Sequence, residues 1–434
     1  MKYSNAIKSS ASDPEQLENL YQGSQEEGIE AEFRADLNDL YTQDPQNLLF
    51  AAWYHRFLRN PLAKITRRIP WILVIVTGSL TGITLWAISD PRLLLQDRIP
   101  IYGLLWSPIA TIFCLFYLAV VSKINKWHFI LPGLILVLAV GYVFLSMNGQ
   151  ARPFSNNYLD QMAIHIPLLC WICLGLALTG LKSTAQNRFA FLIKSIEVAI
   201  AAGLFLIFGV ALGFITIILF NTLDVTFPDV IMRLIAFGGF GLLPILAVAT
   251  MYDPAVSPQD QDFNQGLSKF ITILMRLLLP LALLVLVVYI FFIPFNFMAP
   301  FNQREVLIIF NVVLFAVMGL LIGVTPLQIK DISPRLQTAL HTGIIIVASL
   351  AALISIYAIT AVVYRSSEGL TMNRLTVIGW NTINLSIFLS IIYFQLRGGL
   401  QNWTGRFHVI FSRAAFLYAF WCVFLIIAIP LFYK

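Results

Sequence analysis

The sequence predicts an all-α fold, a polytopic transmembrane helix bundle of about eleven spans with a short acidic N-terminal tail and an interfacial helix. Of its 434 residues, 59% are hydrophobic and only 12% are charged. That charged share is about half the share in soluble domains. The apolar residues form runs long enough to cross a bilayer, separated by short polar loops. Ten of the 22 acidic residues precede Phe50, so the rest of the chain is more basic than the net charge of +6 indicates.

The first element is the segment 1–43, which is polar and acidic and has few large apolar residues. Such a composition cannot bury enough apolar surface to offset the entropy of folding. We therefore expect a mobile cytoplasmic tail with at most a short helix near residues 26–41.

The second element is the segment 44–69. Asp44 and Pro45 are residue types typical of a helix N-cap and first helical position. Large apolar residues then recur four positions apart, at Leu49, Trp53 and Phe57. This spacing predicts an amphipathic helix on the membrane surface, followed by a basic flank.

The third element, residues 70–434, is the predicted transmembrane helical domain. Its apolar runs predict spans over 70–88, 101–121, 128–147, 161–180, 190–220, 231–252, 270–293, 305–324, 341–363, 375–396 and 412–432. The fifth is too long for one perpendicular span, so we expect it to tilt or to project from the membrane.

Lys and Arg predict the orientation of these spans. They are more frequent on the side of the N-terminus, where the first cluster is Arg56, Arg59, Lys64, Arg67 and Arg68. By the positive-inside rule the N-terminus is cytoplasmic, and an odd number of spans places Lys434 outside. The predicted location is the plasma (inner) membrane.

The composition also excludes several classes of site. The basic residues lie at helix ends and form no clustered basic face, so we expect the lipid bilayer and no nucleic acid as a partner. Cys170 and Cys173 form a CxxC pair inside an apolar run, where small apolar helix residues are the favoured interpretation. His165 and His341 lack the spacing of zinc ligands. We expect no metal, no cofactor and no catalytic group.

Ionisable residues inside spans are the first functional candidates, because they are costly there. Glu197 is the one acid well inside a predicted span, with Lys194 one turn before it and Arg276 at a similar depth in the seventh span. We expect Glu197 to pair with Arg276, with Lys194 as the rival partner. The functional alternative to this structural salt bridge is an ion relay or an anion site.

Polar and helix-breaking residues form a second set of candidates. Asn311, Asn381 and Asn384 either line a polar cavity or form hydrogen bonds between helices, and we favour the second. Proline also occurs inside the spans, at Pro167, Pro244 and Pro280. Broken helices open binding sites in transporters, and they also occur in tightly packed bundles.

One stretch resembles a known family. Residues 364–381 read YRSSEGLTMNRLTVIGWN and resemble a signature in a bacterial family of polytopic membrane proteins catalogued as a domain of unknown function. The matching residues are Arg365, Glu368, Gly369, Leu370, Thr371, Asn373 and Arg374. The resemblance implies a multi-pass bacterial membrane protein and supplies no activity.

The same stretch has a physical interpretation of its own. Gly369 allows a tight turn, and Thr371 can cap the helix that follows, with Arg374 at its third position. Glu368 and Arg374 can pair across the turn. We favour a capped turn between helices over a ligand site.

Three classes of function remain. The first is transport of a small solute, which a polar cavity reaching the middle of the bilayer would favour. The second is a structural or accessory subunit that binds other membrane proteins, with its oligomeric state left open. The third is a membrane enzyme acting on lipid. We rank them in that order.

Overall fold

The structure is a computed structural model that describes residues 3–26, 29–59, 69–95, 97–122, 124–147, 152–224, 227–329 and 332–433. The chain divides into two units, Met1–Ile69 and Pro70–Lys434. The first is a small helical unit, and the second contains the long apolar helices.

The first unit has its own apolar core. It consists of α1 (Ser4–Ser9), α2 (Pro14–Glu26), α3 (Glu30–Gln43) and α4 (Leu48–Arg59). The buried side chains at its centre are Ile7, Leu17, Tyr21, Phe33, Leu37, Leu40, Phe50 and Trp53. The prediction of a tail with at most one short helix over residues 1–43 is therefore wrong. Sparse apolar residues at helical spacing, such as Phe33, Leu37 and Leu40, were enough to form a buried face.

The helix α4 also differs from its prediction. It begins at Leu48, and Asn47 caps it, because its Oδ1 accepts hydrogen bonds from the amides of Leu49 (3.0 Å) and Phe50 (3.1 Å). Its apolar face is covered by the other helices of the unit, with Trp53 packing edge to face against Phe33. That face is thus unavailable to a membrane surface. The predicted basic flank over residues 60–68 lies outside the described residues.

The second unit contains eleven helices, within its described residues, that are long and apolar enough to cross a membrane. The helices of this unit are α5 (Trp71–Ile88), α6 (Ile101–Val121), α7 (Trp127–Met147), α8 (Arg152–Thr179), α9 (Ala185–Asn221), α10 (Asp229–Arg233), α11 (Gly239–Met251), α12 (Gly266–Phe292), α13 (Ala299–Asn302), α14 (Arg304–Val324), α15 (Pro334–Arg365), α16 (Met372–Gly398) and α17 (Trp403–Phe432). The predicted all-α bundle of about eleven spans is confirmed. A short antiparallel pair, β1 (Leu94–Leu95) and β2 (Ile99–Pro100), links α5 to α6.

Two glycines determine how α5 and α11 pack. A π-helical turn over Leu234–Gly238 joins α10 to α11, and α11 continues through Pro244. A Cβ atom on Gly241 would lie 2.4 Å from the Cα of Gly82 in α5. The backbones of the two helices therefore approach as closely as side-chain-free residues allow, as small residues do in membrane bundles.

The core that positions the site is built around α15. Its buried face is rich in alanine, at Ala348, Ala351, Ala352, Ala358 and Ala361. This narrow face lets α12, α14 and α16 pack closely against α15. The helices α8, α14 and α16 all begin at the end of the bundle where α15 ends, and we call this the upper end.

Candidate functional site

The turn between α15 and α16 is built as the sequence predicted. Gly369 adopts a positive φ of 129°, which a residue with a Cβ rarely does. The Thr371 hydroxyl caps α16 by accepting from the Arg374 amide at 3.4 Å. The Arg374 guanidinium donates to the Gly369 carbonyl at 2.7 Å. The side chain of Glu368, predicted to pair with Arg374, lies outside what the structure describes.

This turn forms one wall of a cavity of about 700 Å³ at the upper end. The cavity lies between α8, α14 and α16. Its polar lining residues are Asp160, Gln161, His165, Arg304, Asn311, Arg365, Thr371, Asn373, Arg374 and Thr376. It extends along α14 from Arg304 to Phe315, which is a rise of about 16 Å. Phe315 lies near the middle of the 21 residues of α14, so the cavity reaches the middle of this span.

Three arginines surround the upper part of the cavity. Arg304 opens α14, Arg365 closes α15 and Arg374 lies in the first turn of α16. The buried Nη1 of Arg365 has no hydrogen-bond partner among the described residues. Asp160 is the one carboxylate among the described lining residues, and it pairs with Arg98 outside the cavity at 3.2 Å. The cavity therefore carries a net positive charge, and its apolar walls concentrate the resulting field.

Asparagines form the polar floor of the cavity. The Asn381 amide donates to the Oδ1 of Asn311 at 2.7 Å and to the Val377 carbonyl at 3.0 Å. Asn311 lines the cavity directly, while the fully buried Asn381 lies behind it. The Oδ1 of Asn381 has no partner among the described residues. Asn311 thus both lines the cavity and forms an interhelical hydrogen bond, whereas Asn381 forms the hydrogen bond without lining the cavity.

A histidine and a tryptophan complete the floor. The Nδ1 of His165 lies 2.7 Å from the Gln161 carbonyl, so it must donate. The indole N–H of Trp380 donates to the Nε2 of His165 at 3.1 Å. The neutral tautomer with its proton on Nδ1 satisfies both contacts. Gln161 also bonds Asn373 across the cavity wall, which ties α8 to the turn motif.

Below the floor, α16 presents a buried asparagine, then a layer of apolar residues, and then a buried glutamine. Asn384 accepts a hydrogen bond from the Tyr418 hydroxyl and lies outside the cavity lining. The next inward-facing residues of α16 are the buried Ile387, Phe388 and Ile391. Toward the lower end the buried Gln395 donates to the Trp403 carbonyl at 3.1 Å.

The predicted pairing of Glu197 with Arg276 is wrong. Glu197 forms a buried ion pair with Lys194, with 2.6 Å between Oε2 and Nζ, and accepts from the Ser268 hydroxyl at 2.7 Å. Lys194 also donates to the Asp262 carbonyl at 2.9 Å. These bonds hold the lysine in place, so it does not extend to the lipid headgroups.

The misjudged depth of α9 explains the error. Glu197 is twelve residues past the start of α9, yet it bonds Ser268, which is only two residues past the start of α12, so the two helices do not begin at the same depth. Arg276 lies two turns further along α12, about 12 Å from that level. Its Nε has no hydrogen-bond partner in the described part of the chain. The ion relay hypothesis thus loses one of its three members.

Sequence reasoning missed several residues of the cavity. Arg304 precedes the predicted span 305–324, and the sequence around Gln161, Phe315 and Trp380 does not distinguish them from other residues of spanning helices. Gln161 lies on α8, Arg304 and Phe315 on α14 and Trp380 on α16, and what they share is that they face one cavity. That cavity exists only in the folded bundle.

The four cysteines are free and buried. Cys114 and Cys170 line a smaller apolar cavity of about 300 Å³ between α6, α8, α9 and α11. Within the described residues, no group of three or more His, Cys, Asp or Glu is placed to hold a metal ion.

No family model matches the sequence, no curated protein matches it, and no solved structure matches the fold. Membership of the bacterial family that the turn motif resembles therefore stays a prediction. The basis for a functional proposal is the geometry of the cavity.

Proposed function

We propose that this protein binds a small solute in the cavity between α8, α14 and α16 and moves it across the membrane. The observation that carries the proposal is the cavity itself, which is about 700 Å³, lined by polar groups and extended to the middle of α14. Helices that only pack against one another fill their interior to high density. Polar groups at this depth are costly and commonly mark a solute pathway.

The layers beneath the cavity fit a state in which the cavity is accessible from the upper end and sealed toward the lower end. The buried Ile387, Phe388 and Ile391 form an apolar barrier, and polar residues resume at Gln395. Alternating access needs such a barrier to open toward the lower end while the upper end closes. With a cytoplasmic N-terminus, the cavity opens to the outside.

Cysteine accessibility tests this proposal in the full chain. A charged, impermeant methanethiosulfonate reagent should label Val377→Cys, in the cavity, from the upper side. It should label Ile391→Cys, in the barrier, only from the lower side. A bulky adduct on Val377→Cys should abolish the labelling of Ile391→Cys, because the cavity can then no longer close.

The matched control is Ile344→Cys, which lies buried in the core of α15 and should stay unlabelled from either side. Wild-type protein reports the background from the four native cysteines, which are buried. Failure to label Ile391→Cys from either side would leave a static pocket and overturn transport.

One observation favours the second candidate, an accessory subunit that binds another membrane protein. No residue of α9 after Ala201 is buried, although this half of the helix is strongly apolar. It contains Gly209 and Gly213 in the GxxxG spacing of helix-packing faces. A photo-crosslinking residue at Leu212 should then give a discrete protein adduct in native membranes. The same residue at Leu138, exposed on α7, is the control and should give lipid adducts alone.

A further inference from the structure

One side of the cavity is lined by apolar side chains of α8 and α14. Four of the apolar lining residues are between 40% and 63% exposed, namely Ile164 on α8 and Ile308, Val312 and Phe315 on α14. Exposed apolar side chains on spanning helices contact lipid acyl chains. The described residues of α8 and α14 do not pack closely against each other, so the slot between these helices can join the cavity to the hydrocarbon of the bilayer.

Polarity changes along the cavity in the order that a lipid requires. The charged groups, Arg304 and Arg365, are at the helix ends, and the apolar residues continue down to Phe315. The rise from Arg304 to Phe315, about 16 Å, is close to the hydrocarbon thickness of one leaflet, which is about 15 Å.

We propose that the ligand of this cavity is a membrane lipid with an anionic phosphate headgroup, which enters sideways between α8 and α14. This assignment rests on the proposed function and specifies its substrate class. The headgroup phosphate lies among Arg304, Arg365 and Arg374, and one acyl chain lies along Ile308, Val312 and Phe315.

The arginines suit a phosphate for two reasons. A guanidinium offers planar pairs of N–H donors that match phosphate oxygens, and its charge is permanent. The buried Nη1 of Arg365, without a partner among the described residues, has a hydrogen bond left to donate. A phosphate oxygen supplies the acceptor that this atom lacks.

The slot argues for a lipid over a water-soluble anion. A soluble anion gains nothing from a wall of exposed isoleucine, valine and phenylalanine, and hydrocarbon along one side weakens its hydration. An acyl chain gains contact with each of these side chains. The arginines lie at the helix ends and the apolar wall lies below them. This is the arrangement of headgroup and acyl chain in a lipid that stays in its own leaflet.

Photolabelling tests the assignment with the full chain in phosphatidylcholine nanodiscs. The probe is phosphatidylglycerol with a diazirine in one acyl chain. We expect adducts on the α8 and α14 segments that contain Ile164, Ile308 and Val312. Arg304→Gln together with Arg365→Gln should lower this labelling at least about tenfold, because each lost charge-assisted hydrogen bond weakens binding to that degree.

Two further variants keep the test decisive. Arg92→Gln changes an exposed arginine of the loop at the same end, outside the cavity lining, and should leave labelling unchanged. Val312→Trp fills the slot without touching a charge and should reduce labelling severalfold. It reports on the slot even where the double arginine variant fails to fold.

The same experiment also tests whether the ligand is a water-soluble phosphate anion. Inorganic phosphate that displaces the probe and raises the melting temperature of wild type and Val312→Trp equally would identify a soluble anion and overturn the lipid. Equal labelling of Arg92→Gln and the double arginine variant would also overturn it. If the cysteine variants are labelled as expected but the lipid probe gives no adduct, the lipid assignment is refuted and transport stands. If the probe gives adducts but Ile391→Cys is not labelled from either side, transport is refuted and the lipid assignment stands.

Discussion

Lys194 and Glu197 form a buried ion pair within one turn of α9, with 2.6 Å between Nζ and Oε2. The Ser268 hydroxyl bridges the two groups from α12, at 3.0 Å from Nζ and 2.7 Å from Oε2. A pair on one helix thus becomes a link between two helices. Breaking a buried pair leaves an uncompensated charge, while removing both partners does not.

We therefore expect Lys194→Met and Glu197→Gln each to lower the free energy of unfolding by about 3 kcal/mol. The double variant should lose clearly less than the sum, because the two residues interact directly. Thermal unfolding in detergent measures the cycle. Ser268→Ala should cost about 1 kcal/mol as the milder comparison. Strict additivity would show that the pair contributes no coupling.

Trp380→Phe tests the floor of the cavity. It keeps an aromatic ring beside Phe315 and Tyr418 but removes the N–H that donates to His165. We expect a loss of about 1–2 kcal/mol, because the buried Nε2 of His165 is left without a donor. Trp421→Phe is the matched control, since its indole N–H has no partner among the described residues. Nitrogen NMR of labelled histidine should show His165 in the Nδ1–H tautomer, and a proton on Nε2 would contradict this network.

Gly241→Ala tests the close contact of α5 and α11. The new Cβ would meet the backbone of Gly82 at 2.4 Å, so one helix must move. We expect a loss of at least about 2 kcal/mol in unfolding experiments. Gly209→Ala is the control, because a Cβ there meets nothing within 4 Å. Equal melting temperatures for both variants would show that the helices do not touch at this point.

Phe33→Ala tests the core of the first unit. Phe33 is fully buried and packs against Tyr21 and Trp53, so its truncation should cost about 3–5 kcal/mol. A unit of this size has a total stability of similar magnitude. Hydrogen exchange in the full chain should therefore show lost protection in α1–α4 while the apolar helices stay protected. Leu48→Ala, at a side chain 86% exposed, should leave protection unchanged. Rapid exchange of α3 in wild type would restore the mobile-tail prediction.

The first unit should also respond to acid. The hydrogen bond from Arg56 holds the pKa of the Glu18 carboxyl below its usual range. Because the folded pKa is lowered, this contribution is present above the ordinary pKa of a glutamate. It is lost as pH falls through the lowered value. Both side chains are partly exposed, so we expect only about 0.5 kcal/mol. Exchange of α2 and α4, corrected for intrinsic rates, should lose this pH dependence in Glu18→Gln, and an unchanged profile would exclude the pair as its source.

The number and nature of the spans were predictable from the sequence. A long apolar run must form a helix in a bilayer, because its backbone groups have no other hydrogen-bond partners there. The turn before α16 was predictable because it also depends on local interactions. Gly369 adopts the positive φ of the turn, and Thr371 caps a backbone amide three residues away. These features depend on neighbouring residues alone.

The partner of Glu197, the core of the first unit and the cavity required the tertiary structure. Gln161 and Asn373 bond each other across the cavity wall, yet they are 212 positions apart in the chain. Phe33 is an isolated apolar residue in a polar stretch, and it becomes part of a core only when its helix packs against Trp53 of α4. Helix formation is local, but the depth and rotation of one helix against another depend on how distant side chains fit. Periodicity and hydropathy contain no record of that fit.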